Sequence, residues 1–162
     1  MWEKGNLRRR RLYATKKKTR SQSTLRSGER LEERIVLNAA PVLDDTASPA
    51  LLSIAEDAGA PSGQVGTFVS SLIDTSGTHN NFSDADGDLP GIAITGVNLQ
   101  GGALWYSSDN GATWLDVGAV SDEAPRLLAA DATTRVYFEP AADFSGTISD
   151  IVTFKAWDRS TG

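Results

Sequence analysis

From residue 38 onward the chain alternates short apolar runs with clusters of Gly, Ser, Thr, Asp and Asn. No window of that region sustains the three-to-four-residue apolar spacing of a long amphipathic helix. The apolar runs, rich in Val, Ile and aromatic residues and bounded by turn residues, predict strands over 51–54, 65–72, 92–99, 103–107, 113–117, 135–139 and 148–157. The last of these is the clearest. Val152, Phe154 and Ala156 fall on one face while Thr153, Lys155 and Trp157 fall on the other, the period of two that a pleated strand requires. Short strands at roughly ten-residue spacing predict an all-β fold, an antiparallel β-sandwich over 38–162.

The first 37 residues have a different texture. They are Ser/Thr-rich, strongly basic and poor in periodic apolar positions, which predicts a disordered arm in isolation. Within it, "ERLEERIVLN" places Leu31 and Ile35 four apart, enough for a short helical turn but too short to be stable alone. Charge sharpens the boundary. Residues 1–34 carry twelve Lys and Arg against four Glu, a net of +8, whereas the rest carries four basic residues against seventeen acidic ones, a net of −13. The overall charge of −5 therefore averages two unlike segments. An apolar content of 40% in 162 residues suffices for one modest core. Met1 is the sole methionine and is expected to be the native start. No apolar run approaches a membrane span, and the basic start lacks the apolar stretch of an ordinary secretory signal.

Charge also raises a chemical question. Between Arg34 and Arg126 there is no Lys or Arg, yet "FSDADGDLPGI" sets Asp84, Asp86 and Asp88 at alternate positions. Like charges this close repel, and no side-chain cation is available nearby in sequence. A divalent metal is the economical neutraliser, and a set of carboxylates favours a hard cation such as Ca²⁺. The loop is not an EF-hand, because counting from Asp84 puts Gly87 at position 4, Leu89 at 6 and Thr95 at 12. Since calcium takes six to eight oxygens, other segments must contribute. Glu56 and Asp57 in "AED" and Asp158 in "AWD" are the candidates. A solvated acidic turn with no ion is the simpler alternative.

Other features exclude more than they assign. There is no cysteine, so disulfides and thiolate metal sites are absent. His79, the single histidine, has no partner for a zinc site. "SSDNGATW", residues 107–114, has the Ser-Xaa-Asp-Xaa-Gly-Xaa-Thr-Trp form of an Asp-box, and its Asn-Gly step favours a tight hairpin. Such hairpins recur in propeller enzymes as scaffolding, but this chain has room for no array of blades. Trp105, Tyr106, Trp114, Tyr137 and Trp157 could form a sugar-binding platform, though aromatics in short strands more often pair within the fold. No Ser/His/Asp set or phosphate loop is present, so the chain is not expected to be an enzyme. The basic arm, "RRRR" with "KKKTR", would bind polyanions without specificity; no specific nucleic acid is expected as a partner.

The order of "NAAPVLDDTAS", "AED", "FSDADGD", "ITGVN", "FEPAADFSGT" and "FKAWD" resembles the cadherin-like repeats of very large bacterial surface proteins over almost all of 38–162. The resemblance implies a Greek-key sandwich of cadherin-like or immunoglobulin-like type and a non-catalytic, calcium-binding role in adhesion. It implies calcium ligands at Glu56, Asp84 and Asp86, with Asp158 contributing and Asp44 or Asp45 serving the junction between repeats; Phe138, Pro140, Phe144 and Gly146 are implied to be structural. Upstream, residues 28–37 are similar to the LEPR-XLL sorting motif, with Glu33 in place of its proline and Val36-Leu37 in place of its paired leucines. That implies export to the cell surface, with neighbouring repeats, a second copy or surface glycans as partners. Because such repeats continue past "AWD", the resemblance implies a first repeat lacking its last strand, with an unpaired sheet edge along 148–157. A carbohydrate-binding module accessory to an enzyme is the alternative reading, and a glycosidase fragment comes third.

Overall fold

The computed structural model describes residues 38–160. The expected basic arm, the short helix at Leu31–Ile35 and the sorting motif at 28–37 lie outside the described residues. Within them the chain is all-β, with nine strands, one 3₁₀ turn and no α-helix. The strands are β1 (Val42–Leu43), β2 (Thr67–Phe68), β3 (Phe82–Ser83), β4 (Gly91–Val97), β5 (Ala103–Ser107), β6 (Leu115–Asp116), β7 (Arg126–Ala129), β8 (Arg135–Glu139) and β9 (Val152–Trp157).

They form three antiparallel sheets: the pair β1-β3, a four-stranded sheet in the order β2-β8-β5-β6, and a three-stranded sheet in the order β7-β4-β9. Alternation along the central strands explains why the two larger sheets share one core. Ile92 and Ile94 of β4 are fully buried, as are Leu104 of β5 and Val136 of β8, and all join one cluster with Phe82, Leu128 and Phe138. Each such side chain contributes roughly 1.5–3 kcal/mol by leaving water. Trp157 lies across Gly91, whose missing side chain makes this packing feasible: a Cβ there would stand 2.7 Å from the indole. The β4–β9 register slips between Ile94 and Gly96, an irregularity that ends the clean in-and-out alternation of β4.

Strands expected at 103–107 and 135–139 form with those bounds, and 92–99, 113–117 and 148–157 form in shortened versions. Two expectations require correction. Residues 51–54 make no strand, and the Leu52 amide donates instead to the Thr67 hydroxyl at 2.8 Å. The run 65–72 is a strand only at Thr67–Phe68. It then winds into a 3₁₀ turn, Val69–Ser71, in which the Ser71 hydroxyl donates to the Phe68 carbonyl at 2.7 Å and Val69 and Leu72 both face the core. Three strands, β1, β3 and β7, were not expected from the pattern. β9 stands at the edge of its sheet, paired with β4 on one side and with no strand on the other among the described residues.

Candidate metal centre

The acidic loop joins β3 to β4. Buried Phe82, paired with Leu43, fixes its start, and Gly91 beneath Trp157 fixes its end. Between these anchors the loop folds on its own first aspartate. Asp84 Oδ1 accepts the backbone N–H of Asp86 at 2.8 Å and of Asp88 at 3.2 Å, and Gly87 turns the chain at a φ of +79°. The consequence is convergence. One carboxylate oxygen from each of Asp84, Asp86 and Asp88 lies within 4.8 Å of the other two. Two ligands on opposite sides of a Ca²⁺ ion, each at ~2.4 Å, stand about that far apart.

The cluster's remaining contacts are lopsided. Asp84 Oδ2 is buried with no hydrogen-bond partner. Asp86 Oδ2 accepts the Ala39 N–H at 2.6 Å. Asp88 is pushed above the ordinary carboxyl range by burial first, and then by the charges of Asp84, Asp158 and Asp86. Among the described residues no Lys or Arg forms an ion pair with these carboxylates. The single ion pair among the described residues joins exposed Lys155 to Asp122, while Arg126 lies over Tyr106 and Arg135 over Phe68.

Asp158, expected at the end of β9, is brought to the same place. It is only 7% exposed, and it is held below the ordinary range chiefly by the Ser160 N–H and hydroxyl, at 3.0 and 2.7 Å, with the Asn38 amide donating to its other oxygen at 2.6 Å. The four carboxylates therefore sit where the chain enters the sheets, at Asn38–Ala39, and where it leaves β9. Sequence reasoning missed Asn38 and Ala39 as partners. The signal was present in "NAAP", but polar contacts across more than a hundred residues cannot be read without the fold.

Asp45 and Glu56 are not brought to this cluster. Both line a separate groove with Asp150, next to β9, whose walls include none of the four aspartates above. Asp44 caps its own turn through the Thr46 N–H and hydroxyl, and Asp57 accepts the Asp143 N–H at 2.9 Å. As a donor set, Asp84, Asp86 and Asp88 with Asp158 adjacent fit a hard divalent cation. The orphaned oxygen of Asp84 is where the fit is most evident.

The second aspartate turn serves a different purpose. In the 107–114 hairpin, Asp109 accepts the Thr113 hydroxyl at 2.5 Å, the Thr113 N–H at 2.8 Å and the Ser107 hydroxyl at 2.8 Å, which together lower its pKa to about 2. Ser107 Oγ in turn accepts the Gly111 N–H at 2.8 Å, and Trp114 Nε1 donates to the Gly63 carbonyl. Every oxygen is committed, so the hairpin is scaffolding. The aromatic residues are likewise engaged one by one: Trp105 donates to Glu139, Tyr137 to the Gly59 carbonyl, and Trp114 meets Tyr137 edge-on at 6.0 Å. His79 donates its backbone N–H to Asp74.

No helix among the described residues is long and apolar enough to cross a membrane. Comparison with family models, with curated proteins and with solved structures finds no match to this chain.

Proposed function

We propose that residues 38–160 are a calcium-binding structural module of a large exported bacterial surface protein, built as a cadherin-like Greek-key sandwich and without catalytic activity. The observation that carries the reading is the convergence of Asp84, Asp86 and Asp88, none of them in an ion pair with another described residue. Asp158 supports it from the far end of the sequence. Its position beside Asn38 puts the centre at the chain's entry and exit, where an ion would stiffen a junction with neighbouring repeats. Ca²⁺ suits the site better than Mg²⁺, because a loop with carboxylates at alternate positions can supply a large, irregular oxygen shell completed by water. The folded chain alone assembles the set, so binding stabilises the fold.

Calorimetric titration of the full chain with CaCl₂, paired with thermal melts in Ca²⁺ and in EDTA, tests this directly. Binding heat and a higher melting temperature in Ca²⁺ are expected, with both lost in Asp84→Asn. Absence of heat and of any shift at millimolar Ca²⁺ would leave an acidic turn with no ion and sink the reading.

A further inference from the structure

We propose that the open edge of β9 and the groove beside it accept one further β-strand, an extended segment with apolar residues at alternate positions and Lys or Arg at its ends. Three observations on different parts of the surface lead there. The first is the backbone. Among the described residues β9 is an edge strand with β4 as its one ladder partner, so along Val152–Ala156 the row of N–H and C=O groups facing away from β4 joins no ladder there. Such an edge is a template for pairing.

The second is the floor beside that edge. A groove of about 900 Å³ adjoins it, lined by half-buried Val152 and Phe154 of β9 together with Leu51, Ile54, Phe144 and Ile148. The wall formed by residues 47–54 makes no ladder of its own. A strand laid against β9 would bury every second side chain in this trough, and its alternate residues would stay in water.

The third is charge. Asp45, Glu56 and Asp150 are exposed around the groove, and among the described residues no Lys, Arg or His lines it. Lys155, the cation nearest in sequence, alternates to the other face of β9 and is paired with Asp122 at 2.7 Å. The complement is therefore basic. The same charge argues against a second copy meeting this one edge to edge, since that would bring six carboxylates together.

The test uses the full chain, in Ca²⁺ and again in EDTA, with three synthetic nonapeptides. One alternates Val and Thr between terminal lysines, one has the same composition with the Val residues clustered, and one replaces the lysines by glutamates. The alternating Lys-flanked peptide is expected to bind by fluorescence anisotropy and to slow amide exchange at Val152–Ala156 at least tenfold. The Glu-flanked peptide should bind at least tenfold more weakly. The exposed-site variant Glu56→Lys/Asp150→Lys, checked for its fold by circular dichroism, should reverse that preference, and Asp45→Lys provides a second single-site check. Equal binding of the clustered peptide, or binding without protection of β9, would overturn the proposal. So would self-association that protects β9 in the absence of peptide, seen by sedimentation, because the occupant would then be another copy. The expected result is the same in Ca²⁺ and EDTA, so failure here and failure of the calcium reading are separate outcomes.

Discussion

Two aspartate turns of this chain, 84–88 and 107–113, use the same side chain to opposite ends. In the hairpin, Asp109 is surrounded by donors from Ser107 and Thr113 and is held near pKa 2. In the β3–β4 loop, Asp84 leaves one oxygen buried and unpartnered, and Asp88 is driven upward by burial and by three other carboxylates. The difference is not size or exposure, since both turns are short, glycine-containing and solvent-facing. It is the supply of donors. A hydroxyl two residues before and another four residues after the aspartate close the hairpin on itself. At the same offsets from Asp84 stand Phe82 and Asp88, neither of which brings a hydroxyl, so the loop's oxygens gather with too few hydrogens to share. One turn is complete as folded, and the other gathers carboxylates that could hold a metal ion.

The sharpest way to break that contrast acts on the backbone of the complete turn. Gly111 has a φ of +89°, and a Cβ there would stand 2.0 Å from the Gly63 carbonyl oxygen. Gly111→Ala combines positive-φ strain with a clash against backbone, and about 3 kcal/mol of destabilisation is expected. For a domain of this size that is a fall of roughly 10 °C in melting temperature. A variant that melts with the native protein would show that the hairpin is not the rigid scaffold its hydrogen bonds describe.

The same two turns mark how far the sequence could be read. The all-β class was legible because short runs of Val, Ile and aromatic residues are bounded by turn residues, and in β9 half-buried Val152, Phe154 and Ala156 alternate with exposed Thr153 and Lys155. The Asp109 turn was legible because Ser107, Gly111 and Thr113 all lie within seven residues, whereas the bond from Trp114 to Gly63 was not. The acidic cluster was half legible: spacing gives Asp84, Asp86 and Asp88, but not which distant groups join them. Asp158 arrives there through the β4–β9 ladder, whereas Glu56, closer in sequence, goes to the groove. Strands β1 and β3 were missed because two-residue strands carry no period, and β7 because Leu127-Leu128 is an unalternated pair. The strand expected at 51–54 failed for the converse reason. Its apolar residues face a groove, but its backbone finds a hydroxyl on Thr67 rather than a neighbouring ladder.

Adding calcium separates the turns at nearly the same scale. At free Ca²⁺ a hundredfold above the dissociation constant, a single site that binds only the folded chain adds about 2.7 kcal/mol. Asp84→Asn should erase that increment. Asp109→Asn should instead lower the melting temperature in EDTA and leave the calcium increment whole. If Asp109→Asn removed the calcium effect as well, the two turns would be one coupled unit and the contrast would fail.

A smaller effect is expected at the loop's own glycine. Gly87 also has a positive φ, +79°, but nothing lies within 4 Å of where its Cβ would be. Gly87→Ala therefore meets backbone preference alone, about 1 kcal/mol, a third of the cost at Gly111. Its effect on calcium should be proportionally larger, because the turn at Gly87 is what brings Asp88 back toward Asp84. Titration of the variant reads that, and an unchanged affinity would show that the loop converges without its glycine.

The smallest effect is the most diagnostic, because it changes sign. Asp109 has a depressed folded pKa, so its contribution to stability is full above the ordinary value of 3.8 and is lost as pH falls toward about 2. Asp88 has a raised folded pKa, so its contribution is present below 3.8 and is lost as pH rises through the higher folded value. At neutral pH, without metal, the charge on Asp88 is therefore a burden. Asp88→Asn should raise the melting temperature slightly in EDTA, where Asp109→Asn lowers it. In calcium the order reverses for position 88, because the ion prefers the charged carboxylate that the variant lacks. Because the folded pKa of Asp88 is raised, protons compete with the ion there, so calcium affinity should fall as pH drops through that raised value, and proton release should appear as a buffer-dependent binding heat. An Asp88→Asn variant that is less stable in EDTA would mean that the loop already satisfies this carboxylate, as the hairpin satisfies Asp109, and that nothing positive is called for.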